Sequence, residues 1–115
     1  MNRVIVAGTR TFNDYDLLKY KLDIYLSNLS DICIVSGGSR GADHLGEIYS
    51  KERGYNLEVY PADWSLGKKA GYIRNEEMAK IAQYLVVFWD GKSRGTYNMI
   101  ELSKKYKLKI KIVRY

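Results

Sequence analysis

The amino-acid sequence predicts an α/β fold in which a five-stranded parallel sheet carries helices on both faces. Short apolar runs alternate with helix-like segments in the order β-α-β-α-β-α-β-α-β, the pattern of a parallel sheet with right-handed crossovers. The first, second and fourth runs are apolar throughout, which indicates strands buried on both faces. The third and fifth alternate apolar and polar residues, as edge strands do. The strand order 3-2-1-4-5 satisfies this distribution, whereas 2-1-3-4-5 would place the second strand at an edge.

The first predicted strand is the apolar run Val4 to Ala7, which ends in the polar loop Gly8-Thr9-Arg10. An amphipathic helix of about four turns is expected next, with Asn13 as its N-cap and Asp16 three places on. Its apolar positions repeat at helical spacing: Leu18, Leu22, Tyr25 and Leu29.

The second strand, Ile32 to Val35, runs into a glycine turn from Ser36 to Asp43. Glycines let a backbone approach a ligand, and the free amides and dipole of a helix start favour an anion, so this turn is a candidate phosphate site. A plain strand-to-helix connection explains the same residues, and neither a dinucleotide fingerprint nor a Walker loop is present.

The second helix has Leu45, Ile48, Tyr49 and Glu52 at helical spacing and is expected to end at Gly54. The alternating run Asn56 to Tyr60 predicts an edge strand that Pro61 ends.

A third helix is expected from about Lys68 to Gln83, after the loop Pro61 to Trp64. Its internal Gly71 costs a helix about 1 kcal/mol relative to alanine, so the glycine needs a reason. Along a helix, Gly67, Gly71, Arg74 and Asn75 fall on one face, which predicts a bare patch beside an arginine and an amide. Close helix packing over Gly71 is the alternative. The stripe Met78, Ile81, Ala82 and Leu85 indicates core.

The fourth strand, Leu85 to Trp89, ends in a second glycine-bearing turn from Asp90 to Thr96, which contains cations and hydroxyls. The fourth helix has Met99, Leu102, Ser103 and Tyr106 on one side. The closing run Leu108 to Val113 alternates apolar residues with lysines and predicts the second edge strand.

In this strand order the loops after strands one, two and four leave the sheet side by side at its switch point. We therefore predict one ligand-binding crevice there. Its candidate residues are Gly8, Thr9, Arg10, Ser36, Gly37, Gly38, Arg40, Asp43, Trp64, Gly71, Arg74, Asn75, Asp90, Lys92, Ser93, Arg94, Gly95 and Thr96.

Composition narrows the class of protein. A length of 115 residues predicts one domain over residues 1–115. No apolar run reaches the ~20 residues that span a bilayer and no cleavable leader is recognisable, so we expect a cytoplasmic protein without membrane contact. Cys33 is the only cysteine and His44 the only histidine, which predicts neither a disulfide nor a metal site, and no cofactor.

The net charge of +6 favours an anionic partner such as a nucleotide, a nucleic acid or a phosphorylated small molecule. Much of the excess positive charge lies in five lysines near the carboxyl end. A solvated helix end, or a sheet edge that lysines protect from pairing with another chain, explains them equally well. These residues are Lys104, Lys105, Lys107, Lys109 and Lys111.

Five ordered motifs resemble the YspA/YpsA-related branch of the SLOG superfamily, Rossmann-like three-layer domains that include the lonely-guy phosphoribohydrolases and the DNA-processing protein DprA. The motifs are Gly8 to Phe12, Ser36 to Asp43, Pro61 to Trp64, Gly71 to Met78 and Phe88 to Thr96. The resemblance implies a nucleotide-derived ligand, with Gly37, Gly38 and the Gly95-Thr96 turn near its phosphate and Arg74 beside its sugar or phosphate. The lonely-guy enzymes place a glutamate three residues after the threonine of that turn, where this chain has Met99. Glu101 would face nearly the opposite side of the helix.

The leading hypothesis is a domain that senses or sequesters a nucleotide sugar, an ADP-ribose or NAD-like molecule, or a cyclic nucleotide. The alternative is an N-glycosidic hydrolase, with Asp43, Asp63 or Asp90 as its acid, base or cation stabiliser. Each of these aspartates also suits a helix start or a turn. A third hypothesis, single-stranded nucleic-acid binding, ranks lowest because the cations are not interleaved with aromatic residues along one element. A homo-oligomer is expected, with Tyr72 or Trp64 completing a partner's pocket.

Overall fold

The computed structural model describes residues 1–115, and its sheet has the predicted order β3-β2-β1-β4-β5 with every neighbouring pair parallel. The strands are β1 (Asn2–Gly8), β2 (Ile32–Ser36), β3 (Asn56–Val59), β4 (Tyr84–Trp89) and β5 (Lys109–Arg114). The helices are α1 (Tyr15–Tyr25), α2 (Ala42–Arg53), α3 (Ala70–Ile81) and α4 (Arg94–Lys105). A 3-10 segment, Trp64–Lys69, precedes α3.

The sheet separates two apolar cores, because alternate residues of a strand point to opposite faces. On one face Val4 and Val6 of β1 pack with Leu18 and Leu22 of α1 and with Tyr49 of α2. On the other face the inward side chains of β1, β2 and β4 pack against α3 and α4. These residues include Ile5, Val35, Leu85 and Val87 from the strands and Met78 and Met99 from the helices.

The first and third helices differ from their predicted bounds. Helix α1 has 11 residues, which is about three turns, and its N-cap is Asp14, whose carboxylate accepts from the Leu17 amide. Leu29 therefore lies beyond the helix end. Helix α3 begins at Ala70 rather than Lys68 because Gly67 has φ 81° and ψ −156°, which no α-helix contains. Gly67 thus does not share a helical face with Gly71.

The edge strand β3 is correctly placed, but its alternation is not that of one wet and one dry face. Val59 is exposed, whereas Glu58 is half-buried because its carboxylate pairs with Arg3 across the sheet, 2.9 Å from Nε. Ile48 of α2 is likewise exposed, while Gly54 ends that helix with φ 70° as predicted. None of the four helices is long and apolar enough to cross a membrane.

Candidate functional site

A cleft of about 580 Å³ opens at the carboxyl edge of the sheet, where β1 and β4 end. Helices α2, α3 and α4 all begin at this edge, which follows from the βα order of the chain. The cleft is lined by Ala7, Gly8, Thr9, Arg10, Thr11, Ser39, Asp43, Trp64, Lys68, Gly71, Tyr72, Arg74, Asn75, Met78, Asp90, Ser93, Gly95, Thr96 and Met99. We call this space the main chamber.

A second space of about 410 Å³, the side chamber, adjoins the first. Gly37, Gly38 and Arg40 of the turn after β2 line it, together with Pro61 and Ala62. Four residues line both chambers, namely Arg10, Ser39, Trp64 and Arg74, so the two spaces share a wall and lie side by side.

Thr9 ties three of the surrounding loops together. Its amide donates to Phe88 O at 3.0 Å, and its carbonyl oxygen accepts from Phe12 at 3.1 Å and from Ala42 at 3.4 Å. Its hydroxyl oxygen accepts from the Asp90 amide at 3.1 Å. The turns that follow β1, β2 and β4 are therefore held by hydrogen bonds to one buried residue.

Arg74 is the buried cation of the cleft, with only 8% of its surface exposed. Its Nη1 donates to the carbonyl oxygens of Gly37 and, at 3.5 Å, Tyr60, and its Nε donates to Asn75 Oδ1 at 3.0 Å. Its Nη2 has no acceptor in the protein and lies 3.8 Å from where a Cβ on Gly71 would stand. Burial lowers the pKa of Arg74, and the Asp43 carboxylate opposes that shift.

Asp43 is the buried carboxylate of the cleft, on the first turn of α2. Burial raises the pKa of its carboxyl to about 6, while the Ser39 amide, which donates to Oδ2 at 3.3 Å, and the Arg74 guanidinium lower it. A carboxyl of this kind exchanges a proton near neutral pH. Asp43 is therefore the one aspartate of the cleft suited to acid–base chemistry.

The turn before α4 is organised by Asp90, whose carboxylate accepts from the Lys92 amide at 2.8 Å and the Ser93 amide at 2.9 Å. These hydrogen bonds lower the pKa of Asp90. The Ser93 hydroxyl caps α4 by accepting from the Thr96 amide, whereas the amides of Arg94 and Gly95 have no acceptor in the protein. They are free donors at a helix start, which favours an anion.

Several cations around the two chambers have no carboxylate partner. The protein's salt bridges involve Met1, Arg3, Lys19, Arg53, Lys104 and Lys105, none of which lines the cleft. The unpaired cations that line it are Arg10, Arg40, Lys68 and Arg74. The site therefore has an excess of positive charge that an anionic ligand would neutralise.

Most of the predicted site residues lie on the cleft, although their part in binding stays a prediction. Ser36, Lys92 and Arg94 do not line it. Ser36 is fully buried beneath the turn, where its hydroxyl donates to Glu47 at 2.7 Å and accepts from the Gly38 amide at 3.1 Å. Lys92 and Arg94 are exposed beside the cleft. Loop side chains follow no periodicity. The sequence could therefore place these residues near the site but could not predict the direction of their side chains.

Sequence reasoning left out several lining residues, among them Ser39, Lys68, Tyr72 and Met99. Ser39 and Lys68 belong to segments already singled out, and Tyr72 follows Gly71 directly, so closeness along the chain was the available signal. The sequence places Met99 on one side of the fourth helix, together with Leu102, Ser103 and Tyr106. It is buried there and also forms part of the cleft floor.

The proposed catalytic aspartates are not equivalent. Asp63 lies outside both chambers and caps the 3-10 segment, accepting from the amide and hydroxyl of Ser65. Asp90 is engaged by its own turn. Glu101 is exposed and pairs with Lys104 at 3.4 Å. Asp43 alone is both buried and on the cleft.

The family model described as the YspA, cpYpsA-related SLOG family matches residues 2–67. The Gene 61 protein of Mycobacterium phage D29 is 33% identical over 116 residues, which cover 91% of this chain and 90% of the phage protein.

Two solved structures share the fold. One is DNA processing protein A from Helicobacter pylori, described for its single-stranded DNA binding mode, with a TM-score of 0.71 and 19% identity over 96% of this chain. This chain spans 64% of that protein's length. The other is a predicted subunit of tRNA methyltransferase from Methanocaldococcus jannaschii, with a TM-score of 0.52 and 15% identity. The match covers 97% of this chain and 69% of that one.

Proposed function

The chain belongs to the YspA, cpYpsA-related SLOG family, and on that premise we propose that it binds a nucleotide-derived small molecule in the cleft as a sensor or sequestering protein. The observation that carries the proposal is Arg74 Nη2, a donor on a buried guanidinium that has no acceptor in the protein and faces the cleft. Nη2 is not fully buried, so its open side is the cleft, where a ligand anion would accept a charge-assisted hydrogen bond from it.

The surrounding groups support a phosphorylated ligand. The free amides of Arg94 and Gly95 stand at the start of α4, and the unpaired Arg10 and Lys68 line the same chamber. A volume of about 580 Å³ is in the usual range for small-molecule sites. Nucleotide sugars, ADP-ribose or NAD-like molecules and cyclic nucleotides all combine phosphate with a sugar and a base, so they are the ligands to test.

Calorimetric titration with nucleoside monophosphates, ADP-ribose, NAD and cyclic nucleotides tests the proposal. We expect at least one to bind below millimolar, and Arg74→Met to weaken that binding about tenfold or more, because a hydrogen bond to a charged group is lost. Arg74→Lys keeps the charge and serves as a second variant if the methionine variant unfolds. The matched control is Lys80→Met, which removes an exposed cation from the same helix. Failure of every compound to bind below millimolar would overturn the proposal.

A hydrolase is the second candidate, favoured by the buried Asp43 and its raised pKa. Asp43 would act as an acid or base at the N-glycosidic bond of a bound nucleotide. Nucleoside monophosphates incubated with the protein and separated by chromatography test this candidate, because free base and ribose phosphate appear only if the N-glycosidic bond is cleaved. Asp43→Asn would then abolish the products. Met99 at the position of the lonely-guy glutamate argues against hydrolysis by that route.

Single-stranded nucleic-acid binding is the third candidate, favoured by the fold shared with DNA processing protein A and by the exposed cations Arg40, Lys92 and Arg94 around the cleft. It requires that an oligonucleotide bind more tightly than a mononucleotide and that its affinity fall steeply with salt. Fluorescence anisotropy with a labelled oligothymidylate at several salt concentrations measures both.

A further inference from the structure

Trp64 is an exposed aromatic residue at the centre of the site. It begins the 3-10 segment Trp64–Lys69, none of whose residues is buried, and 57% of its surface is exposed. It lines both chambers. A tryptophan normally buries most of its ring, so this side chain is not held in place by the core.

The ring lies beside the unpaired donor of Arg74. The tip of the indole is 3.7 Å, and Arg74 Nη2 is 3.8 Å, from the position that a Cβ on Gly71 would occupy. One stretch of bare backbone therefore separates an aromatic surface from an anion-binding group. The Arg10 guanidinium lies over the ring, 5.9 Å from its centroid.

The neighbouring exposed apolar residues do not share this position. Leu66 belongs to the same segment and is 46% exposed, but it lines neither chamber. Tyr72, next to Gly71, is exposed and lines the main chamber with Trp64. Aromatic surface is thus concentrated where the cleft opens, beside the anion-binding group.

We infer that Trp64 stacks on the nucleobase of a ligand whose phosphate Arg74 binds. The inference rests on the proposed function and adds to it the part of the ligand that is recognised. Stacking uses the π-face that every base possesses, so it favours nucleotides over sugar phosphates without selecting one base. The ribose spans the bare backbone of Gly71 between the two groups.

Calorimetric titration with ribose 5-phosphate and with AMP, GMP, CMP and UMP tests the inference, because these compounds share the sugar phosphate and differ in the base. We expect at least one nucleotide to bind about tenfold more tightly than ribose 5-phosphate. Trp64→Ala should remove that difference while leaving ribose 5-phosphate binding unchanged. Trp64→Phe should restore most of it, since the ring is retained. Leu66→Ala is the matched control and should bind as the wild type does.

The outcomes separate this inference from the proposed function. If nucleotides and ribose 5-phosphate bind equally, or Trp64→Ala weakens both alike, the stacking role is wrong and the phosphate site stands. If none of these compounds, ADP-ribose, NAD or the cyclic nucleotides binds below millimolar, the proposed function fails and the inference fails with it. If light scattering shows that Trp64→Ala dissociates an oligomer without changing nucleotide affinity, the ring serves a second copy of the chain and the inference is overturned.

Discussion

Arg74 donates a hydrogen bond to the carbonyl oxygen of Gly37 and fills the space that a side chain at Gly37 would need. A Cβ there would lie 2.7 Å from Nη1 of Arg74 and 2.8 Å from Oδ2 of Asp43. The turn after β2 and helix α3 are far apart in the chain, and this contact joins them across the cleft. The glycine is required by the two charged groups around it.

Gly37→Ala should therefore destabilise the protein by about 1–3 kcal/mol, because the added methyl group overpacks a buried site and displaces the guanidinium. Nucleotide binding should weaken as well, since Arg74 Nη2 loses its position. Urea unfolding and calorimetry measure the two effects. Gly95→Ala is the control for stability alone: a Cβ there meets nothing within 4 Å, and Gly95 is the second residue of α4, so this variant should be as stable as the wild type or up to about 1 kcal/mol more stable. Equal stability of Gly37→Ala and wild type would contradict the packing account.

Gly71→Ala should have the opposite effect on stability. A Cβ at Gly71 would make only ordinary contacts, 3.7 Å to Trp64 and 3.8 Å to Arg74, so packing does not require the glycine. Alanine should raise the free energy of unfolding by up to about 1 kcal/mol through helix propensity. Nucleotide affinity should fall, because the methyl group covers the bare backbone between the ring and the guanidinium. A variant that is less stable than wild type would show that close packing explains Gly71 after all.

The stability of the protein should depend on pH through Asp43. Burial raises the pKa of this carboxyl to about 6, whereas an unfolded aspartate titrates at about 3.9. Between these values the folded chain binds more protons than the unfolded chain, so stability from this group falls as pH rises through about 4 to 6. Relative to Asp43→Asn, the wild type should lose on the order of 3 kcal/mol across that window.

Urea unfolding of both proteins at several pH values from 4 to 7.5 gives this difference. Carboxylates such as Asp90, whose pKa is lowered, act in the opposite direction but equally in both proteins, so they cancel. Parallel pH profiles would show that Asp43 does not titrate in this range.

Ser103 and Ser50 form a matched pair for testing buried hydroxyls. Both are fully buried, but the Ser103 hydroxyl has no hydrogen-bond partner, whereas the Ser50 hydroxyl has two carbonyl oxygens as alternative acceptors, Tyr55 O at 3.1 Å and Asn56 O at 3.2 Å. Ser103→Ala should be as stable as wild type or up to about 1 kcal/mol more stable, and Ser50→Ala should lose about 1–3 kcal/mol. Thermal and urea unfolding compare them. A similar loss in both variants would mean that Ser103 has a partner.

The sheet order could be predicted because burial on one or both faces leaves a period in the sequence. The fully apolar runs around Val4, Ile34 and Val87 identified the inner strands, and the order then brought three loops to one edge. The details of α3 could not be predicted in the same way. Gly67 matched a helical spacing but adopts φ 81°, because glycine permits conformations that spacing does not record.

The candidate site was predictable to the level of loops and less so to the level of side chains. Arg74 and Asn75 lie on α3, where helical geometry fixes their direction, and both line the cleft. Lys92 and Arg94 are in and just after a turn, where no period fixes the direction of a side chain, and they do not line the chambers. The burial of Asp43, which determines its protonation, depends on side chains from distant segments and has no local signal.

The hydrogen bonds around Thr9 limit how far the cleft can change its shape when a ligand binds. Since one residue links the ends of β1 and β4 and the start of α2, these segments cannot open independently. The receptor surface is consequently shaped during folding, and little conformational entropy remains to be lost on association. A preformed site of this kind suits rapid and reversible binding of a small molecule better than binding that is coupled to a large conformational change.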